Sequence, residues 1–172
     1  LDLISRFEGE RLMAYLCPAG KPTIGFGHVI LPRFDWPLFR YCDASRVMRL
    51  IKECQTAGRM TGEAQTVLRI DPEQARRLLE HDAQQVGRFL NSVTPVPLSQ
   101  NQFDALVSLV FNIGQGNYAT STLRKKLAAG DFAGAAAEFD KWAMATVNGK
   151  KQKLTGLVNR RAAERALFET VE

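Results

Sequence analysis

A dense cluster of chain-breaking residues near the start of the chain is the feature that most constrains its fold. Five proline and glycine residues fall within ten positions: Pro18, Gly20, Pro22, Gly25 and Gly27. Thr23, Ile24 and Phe26 stand between them, and residues of these types favour strands. The alternation of breakers with strand formers predicts a short hairpin or small sheet over this stretch.

Helical patterns occupy most of the remaining chain. Asp71-Pro72-Glu73-Gln74 and Ser99-x-x-Gln102 each place a capping side chain before an amphipathic run. Further helices are predicted over 1 to about 9, about 120–130, 131 through Trp142, and about 154–170. The sequence therefore predicts an α+β protein that is mostly helical.

Residues 31–69 form a less regular segment between the hairpin and the helical body. Val47, Leu50 and Ile51 have helical spacing, and the aromatic residues of 34–41 are too numerous for a solvated linker. We therefore expect a partly helical insertion whose aromatic side chains pack against the lobe beneath them. The chain is predicted to be one domain in three parts: an N-terminal lobe over about 1–30, the insertion over 31–69, and a helical lobe over 70–172.

Composition excludes several classes of protein. The chain contains no run of eighteen apolar residues, which argues against a membrane span. Its three cysteines are an odd number and form no CxxC pair, so we expect neither a zinc site nor a complete disulfide framework. The net charge of +5 favours an anionic partner, although solubility alone accounts equally well for so modest a charge.

Glu8 is the first candidate for a chemical role. It lies in the last turn of the predicted first helix, where the negative end of the helix dipole disfavours ionisation of a carboxyl group. Glycoside hydrolysis needs such a carboxylic acid to protonate the leaving oxygen. A single glutamate on a helix is more often a solvated surface residue, so the surrounding sequence decides between the two interpretations.

The spacing of residues after Glu8 supplies that context. Eight residues separate Glu8 from Cys17, five separate Cys17 from Thr23, and the sequence Ile-Gly-Phe-Gly-His follows. This pattern resembles the N-terminal signature of phage-type lysozymes, glycoside hydrolase family 24, whose catalytic triad is Glu, Asp or Cys, and Thr at these intervals. The segments 103–114 and 156–161 resemble two C-terminal helices of the same family.

The resemblance implies a lysozyme-like fold, with a small helix-plus-hairpin N-terminal lobe, a larger helical C-terminal lobe and the active-site cleft between them. It implies an endolysin that hydrolyses the β-1,4 bond between N-acetylmuramic acid and N-acetylglucosamine in bacterial peptidoglycan, with no cofactor or metal. Glu8 would be the proton donor, and Cys17 and Thr23 would position or activate the attacking water. Asp is commoner than Cys at the second triad position, and a thiol accepts a proton only as the thiolate.

Three further residues are candidates for roles at the site. Asn112, at the end of an apolar helix, is expected to contact the substrate rather than only cap its own helix. Arg160 matches a position where the family places a basic residue near the acid, and it is expected to contribute to substrate binding. His28 is expected to close a turn through a hydrogen bond rather than act as a base.

Three other functions remain open on the sequence alone. A lytic transglycosylase would cleave the same bond with one glutamate and release an anhydro sugar, and it needs no positioned water. A peptidoglycan-binding module with decayed catalytic machinery would retain the fold without the chemistry. A nucleic-acid binder would use the positive charge, but the basic residues are scattered and no recognised DNA- or RNA-binding signature accompanies them.

The expected partners are the peptidoglycan substrate and the anionic bacterial envelope, with no nucleic acid, and the chain is expected to act as a monomer. Lysines and arginines of the C-terminal half would draw it to the envelope. The first residues do not form a signal-peptide pattern. The resemblance implies synthesis in the cytoplasm of the bacterial host and action on the cell wall in the periplasm.

Overall fold

The structure is a computed structural model that describes residues 1–147 and 149–170. Two compact units make up the chain. One runs from Glu8 to His81, and the other joins Leu1–Phe7 to the chain from Asp82 onward. Helix α1 (Asp2–Glu8), predicted over 1 to about 9, ends at the first residue of the unit Glu8–His81. Each unit contains one antiparallel sheet and several helices.

The predicted hairpin is confirmed and is part of a three-stranded antiparallel sheet. Its strands, in spatial order, are β1 (Arg11–Leu16), β2 (Pro22–Gly25) and β3 (His28–Val29). Cys17 begins the turn between the first two strands. The backbone amide of Gly20 donates to the Cys17 carbonyl at 2.8 Å, and the Cys17 amide donates to the Lys21 carbonyl at 2.9 Å. These two bonds close the tight turn that the glycine and proline pattern predicted.

Four helical segments follow the sheet: α2 (Pro32–Asp35), a 3-10 helix (Trp36–Leu38), α3 (Ala44–Ala57) and α4 (Gly62–Val67). Helix α3 begins after Asp43, whose carboxylate accepts a hydrogen bond from the Arg46 amide. It ends at Gly58, which has the left-handed φ of 62° that glycine adopts without strain. Val47 and Leu50 are buried on one face of α3, as their helical spacing predicted.

The insertion and the sheet share one hydrophobic core. Val47, Leu50 and Cys54 of α3 belong to the same buried cluster as Ala14 of β1 and Ile24 of β2. Burial of such aliphatic side chains contributes about 1.5–3 kcal/mol each to the free energy of unfolding. Helix α3 therefore supports the sheet and the turn that begins at Cys17.

The aromatic residues of 34–41 do not all pack as expected. Phe39 is buried, but Phe34 and Tyr41 expose 76% and 93% of their surface, and Trp36 is also exposed. The expectation of packing was therefore wrong for Phe34, Trp36 and Tyr41. Phe34 lies in the four-residue helix α2, which buries none of its residues, because a single turn is too short to turn a full apolar face inward.

Helices dominate the unit from Asp82 onward. They are α5 (Pro72–Val93), which begins in the other unit, α6 (Gln100–Ile113), α7 (Gln115–Thr120), α8 (Thr122–Ala128), α9 (Phe132–Glu138), a 3-10 helix (Phe139–Ala143) and α10 (Thr155–Glu169). The two predicted capping boxes are confirmed at the starts of α5 and α6. Among the described residues, no helix is both long enough and apolar enough to cross a membrane.

A second antiparallel pair of strands, β4 (Met144–Val147) and β5 (Lys150–Lys153), was not predicted. All four residues of β5 are exposed and polar, so neither alternation nor β-branched side chains mark a strand there. The helix predicted from 131 through Trp142 is regular only to Glu138, because Trp142 has a φ of −90° and a ψ of 20° within the 3-10 segment.

Candidate active site

Glu8 is the last residue of α1, and its side chain is half-buried. Gly9 follows with a φ of 70°, a left-handed conformation that ends helices and that glycine adopts without strain. A Cβ atom placed on Gly27 would lie 3.8 Å from Oε2 of Glu8. The carboxylate therefore lies beside the turn that joins β2 to β3.

Cys17 is the first residue after β1, and its side chain is half-buried. Its sulfur is within hydrogen-bonding reach of the backbone amides of Ala19 and Lys21 and of the Thr23 side chain. Burial opposes ionisation, but these hydrogen bonds and the Lys21 charge outweigh it, and the pKa of the Cys17 thiol is lowered from its ordinary value of 9.0. The turn therefore favours the thiolate.

Thr23 is 2% exposed and lies in β2, the central strand, where it pairs with Tyr15 and Val29. Its hydroxyl donates to the carbonyl oxygen of Lys21, 3.0 Å away. A hydroxyl has one proton, so Thr23 does not donate to Lys21 and to Cys17 at the same time. The hydrogen bonds to the Lys21 carbonyl and to the Cys17 sulfur are therefore alternatives.

Tyr15 is affected electrostatically by both Glu8 and the hairpin. Burial raises the pKa of its phenol, the Arg11 guanidinium lowers it, and the negative charges of Glu8 and Cys17 raise it, so the net pKa is raised. The Arg11 guanidinium lies 4.5 Å from the centroid of the tyrosine ring. Because one phenol is affected by both Glu8 and Cys17, the two groups share one electrostatic neighbourhood.

His28 has a structural partner. Its Nε2 lies 3.1 Å from Oδ2 of Asp35, and the same carboxylate oxygen accepts a hydrogen bond from the Leu31 amide at 2.5 Å. Asp35 thus ties β3 to the start of α2, in agreement with the structural role expected for His28. Asp35 was not identified from the sequence, because this partner lies seven residues from His28, in the segment that matched no known pattern.

Lys21 is the other residue that sequence reasoning missed. Its amide and its charge both lower the pKa of Cys17, and its carbonyl accepts the hydroxyl proton of Thr23. The available signal was a basic residue four positions after Cys17, inside the cluster of breakers. A turn brings such a residue back beside the one that starts it.

Asn112 and Arg160 lie in the other unit, in a network around Glu164. Arg160 is 3% exposed; its Nε donates to Oε1 of Glu164 at 3.0 Å, and its Nη2 donates to the Ser108 carbonyl at 3.2 Å. Asn112 is exposed, and its Oδ1 accepts a hydrogen bond from Nη1 of Arg161 at 3.1 Å. Arg161 also donates to Oε1 of Glu164, at 2.8 Å. Arg161 and Glu164 thus link the two residues that the sequence singled out.

The chain is similar to known proteins over almost its whole length. The model of the phage lysozyme family matches residues 5–164. The endolysin of Acyrthosiphon pisum secondary endosymbiont phage 1 is 45% identical over 170 residues, which cover 99% of this chain and 94% of that protein. The muramidase domain of SpmX from Asticaccaulis excentricus superposes with a TM-score of 0.75 at 32% identity, covering 99% of this chain and 94% of that one. A mutant of P22 lysozyme superposes with a TM-score of 0.68 at 33% identity, covering 98% and 94%.

These comparisons bear on both the fold and the class of activity. The lysozyme-like α+β fold predicted from the sequence is confirmed by the two solved structures. The prediction of a lysozyme-type glycosidase is confirmed by the family match and the endolysin relative. Since the family model spans most of its length, including Glu8, Cys17 and Thr23, the chain belongs to the phage lysozyme family.

Proposed function

We propose that this protein is an endolysin that hydrolyses the β-1,4 bond between N-acetylmuramic acid and N-acetylglucosamine in bacterial peptidoglycan. The observation that carries the proposal is the turn at Cys17, where two backbone amides, a hydroxyl and a lysine charge favour a thiolate in the unit that also contains Glu8. A proton donor and a separate proton acceptor are the two groups that glycoside hydrolysis by direct attack of water needs.

Glu8 is the general acid in this proposal. Its carboxyl group protonates the glycosidic oxygen as the bond to the anomeric carbon breaks. Its position supports this role, because the half-buried side chain at the end of α1 lies beside the turn that joins β2 to β3. Gly27 has no side chain on the neighbouring turn, which leaves space beside the carboxylate.

Cys17 accepts the proton of the attacking water, and Thr23 acts through Cys17. At 2% exposure the Thr23 hydroxyl is better placed to hold the sulfur than to contact solvent water. Its proton, donated to the Lys21 carbonyl beside a neutral thiol, turns to the thiolate and stabilises it. Cys17, Thr23 and Lys21 therefore act together as one proton-accepting group.

Asn112 and Arg160 have different roles in this proposal. Asn112 is exposed, and because Arg161 occupies its oxygen, its amide nitrogen is the group that donates to a glycan. Arg160 has its guanidinium buried against Glu164 and 5.8 Å from the centroid of the Phe7 ring. We therefore propose that Arg160 positions Phe7, the residue before Glu8, and does not itself contact a sugar.

The same proposal covers where the enzyme acts. We propose that it is made in the cytoplasm of the bacterial host, acts as a monomer on the cell wall in the periplasm, and causes lysis of the host. The support is the kinship with the phage endolysin that is 45% identical. The net charge of +5 favours association with the anionic envelope.

Mass spectrometry of digested, purified peptidoglycan tests the proposed reaction. We expect released muropeptides with hydrated reducing ends. Anhydro ends, lighter by one water, would instead assign the chain to the lytic transglycosylases. Tight binding to the wall without any release would assign it to binding modules that have lost catalysis.

A further inference from the structure

We propose that one surface of the unit Glu8–His81 docks on an anionic phospholipid bilayer. The surface surrounds a shallow cavity of about 570 Å³ formed by the sheet, α2 and α3. We name it the apolar–basic face after the residues that define it: Leu31, Phe34, Met48, Lys21, Arg33 and Lys52. The inference does not depend on the reaction proposed above.

The apolar part of the face is displayed to solvent. Leu31 and Met48 are exposed, and Phe34 shows 76% of its surface. Contiguous exposed apolar surface is uncommon on monomeric proteins and marks sites of contact with proteins, ligands or membranes. The cavity between these side chains has an apolar floor, because the lining residues Ile30 and Ile51 are buried beneath it.

The charged part of the face is positive. Lys21, Arg33 and Lys52 line the cavity, and none of the described residues that line it is acidic. Arg49, also on α3, has two carboxylate partners, whereas Lys21, Arg33 and Lys52 form no ion pair with another described residue. The surrounding segment 21–60 contains seven basic and three acidic residues. The face therefore favours an anionic partner with apolar groups.

A lipid bilayer fits this chemistry better than other anionic partners. A nucleic acid would offer phosphates to the three cations but would leave the exposed Leu31 and Met48 without apolar partners, and a glycan would supply neither phosphates nor acyl chains. A second copy of the chain in a two-fold dimer would oppose the same three cations to one another. An anionic phospholipid supplies acyl chains to Leu31, Phe34 and Met48 and phosphate to the three cations, as on interfacial membrane surfaces.

Co-sedimentation of the full chain with vesicles tests the proposal. At low ionic strength we expect binding to phosphatidylcholine vesicles that contain phosphatidylglycerol, and little binding to pure phosphatidylcholine. The double variant Arg33→Glu and Lys52→Glu should bind more than about tenfold more weakly, since each basic residue near an anionic surface contributes about fivefold. The double variant Leu31→Ser and Phe34→Ser should lose about tenfold or more through apolar burial.

Matched controls keep the test specific to this face. Met144→Ser removes an exposed apolar side chain and Lys150→Glu an exposed charge from the other unit, and both should bind like the wild type. All variants should release muropeptides from lipid-free peptidoglycan at the wild-type rate, which separates lipid binding from the reaction. Absent binding by the wild type, equal binding to neutral vesicles, or equal losses in the controls would overturn the proposal. A wild-type dimer that Leu31→Ser and Phe34→Ser abolish, without vesicle binding, would assign the face to a second copy.

Discussion

The two compact units surround an ionisable group in different ways. In the unit from Asp82, Glu164 is fully buried, and one of its oxygens accepts hydrogen bonds from the side chains of Ser108, Arg160 and Arg161. In the unit Glu8–His81, the half-buried sulfur of Cys17 is stabilised chiefly by backbone amides of its own turn.

The difference follows from how deeply each ionisable group is buried. Burial raises the pKa of Glu164, and the guanidinium groups of Arg161 and Arg160 oppose this shift, so the buried network acts on stability. A sulfur at a turn remains close to solvent, and each amide or hydroxyl shifts its ionisation by a limited amount. We therefore expect changes at Glu164 to alter folding, and changes at Cys17 to alter chemistry with little effect on folding.

Replacement of Glu164 is expected to have the largest effect on stability. Glu164→Gln removes the buried carboxylate that accepts hydrogen bonds from Arg160 and Arg161, which should lower the free energy of unfolding by about 3–5 kcal/mol. Urea denaturation followed by circular dichroism measures the change.

The matched control lies on the same helix. Glu169→Gln removes a carboxylate that pairs with Arg165 in an exposed ion pair, and it should cost less than about 1 kcal/mol. Equal losses in the two variants would contradict the contrast between the buried network and surface pairs.

Replacement of Cys17 should separate chemistry from stability. Cys17→Ser places a group that does not ionise near neutral pH at the turn, and we expect the lysis rate to fall about 100-fold through the loss of the proton acceptor. Cys17→Asp should retain activity, because the same amides can hold a carboxylate. Turbidity of outer-membrane-stripped cells reports the rate. Wild-type activity in Cys17→Ser would exclude the sulfur as the base.

Removal of the Thr23 hydroxyl is expected to have a smaller effect, which changes the pH dependence of activity. The hydrogen bond from Thr23 lowers the pKa of Cys17, so Thr23→Val should raise this pKa towards its ordinary value. Activity that needs the thiolate rises as pH increases through the pKa of Cys17, and this rise should move to higher pH in the variant. The alkylation rate of Cys17 against pH, followed by peptide mass spectrometry, measures the shift.

The conservative control for this position retains the hydroxyl. Thr23→Ser should leave the alkylation profile close to that of the wild type, because serine can donate the same hydrogen bond. A profile displaced in Thr23→Ser but not in Thr23→Val would show that packing of the methyl group, and not the hydroxyl, sets the pKa of Cys17.

Local sequence patterns predicted the elements whose determinants lie within a few residues. The breakers at 18–27 specified the hairpin, and the capping boxes specified where α5 and α6 begin. Strand β5 was missed because the residues of Lys-Lys-Gln-Lys do not favour strands. Its conformation depends on pairing with β4, which the sequence of β5 itself does not show. The exposure of Phe34 was missed because aromatic content does not show which residues find a place in a core.

Local sequence patterns also predicted only part of the candidate site. The spacing of Glu8, Cys17 and Thr23 identified the residues that carry the proposed chemistry. It did not identify what surrounds them, such as the amide and charge of Lys21 beside Cys17. Partners distant in sequence, such as Arg161 beside Asn112, were also beyond it, because 49 positions separate the two residues.

The most direct test of the account compares Glu8→Gln with Glu10→Gln in lysis of outer-membrane-stripped cells. Both substitutions remove one carboxylate, and Glu10 is exposed two positions beyond the acid. We expect a loss of about two or more orders of magnitude for Glu8→Gln in a folded protein, and wild-type activity for Glu10→Gln. Undiminished lysis by Glu8→Gln would contradict the assignment of Glu8 as the general acid.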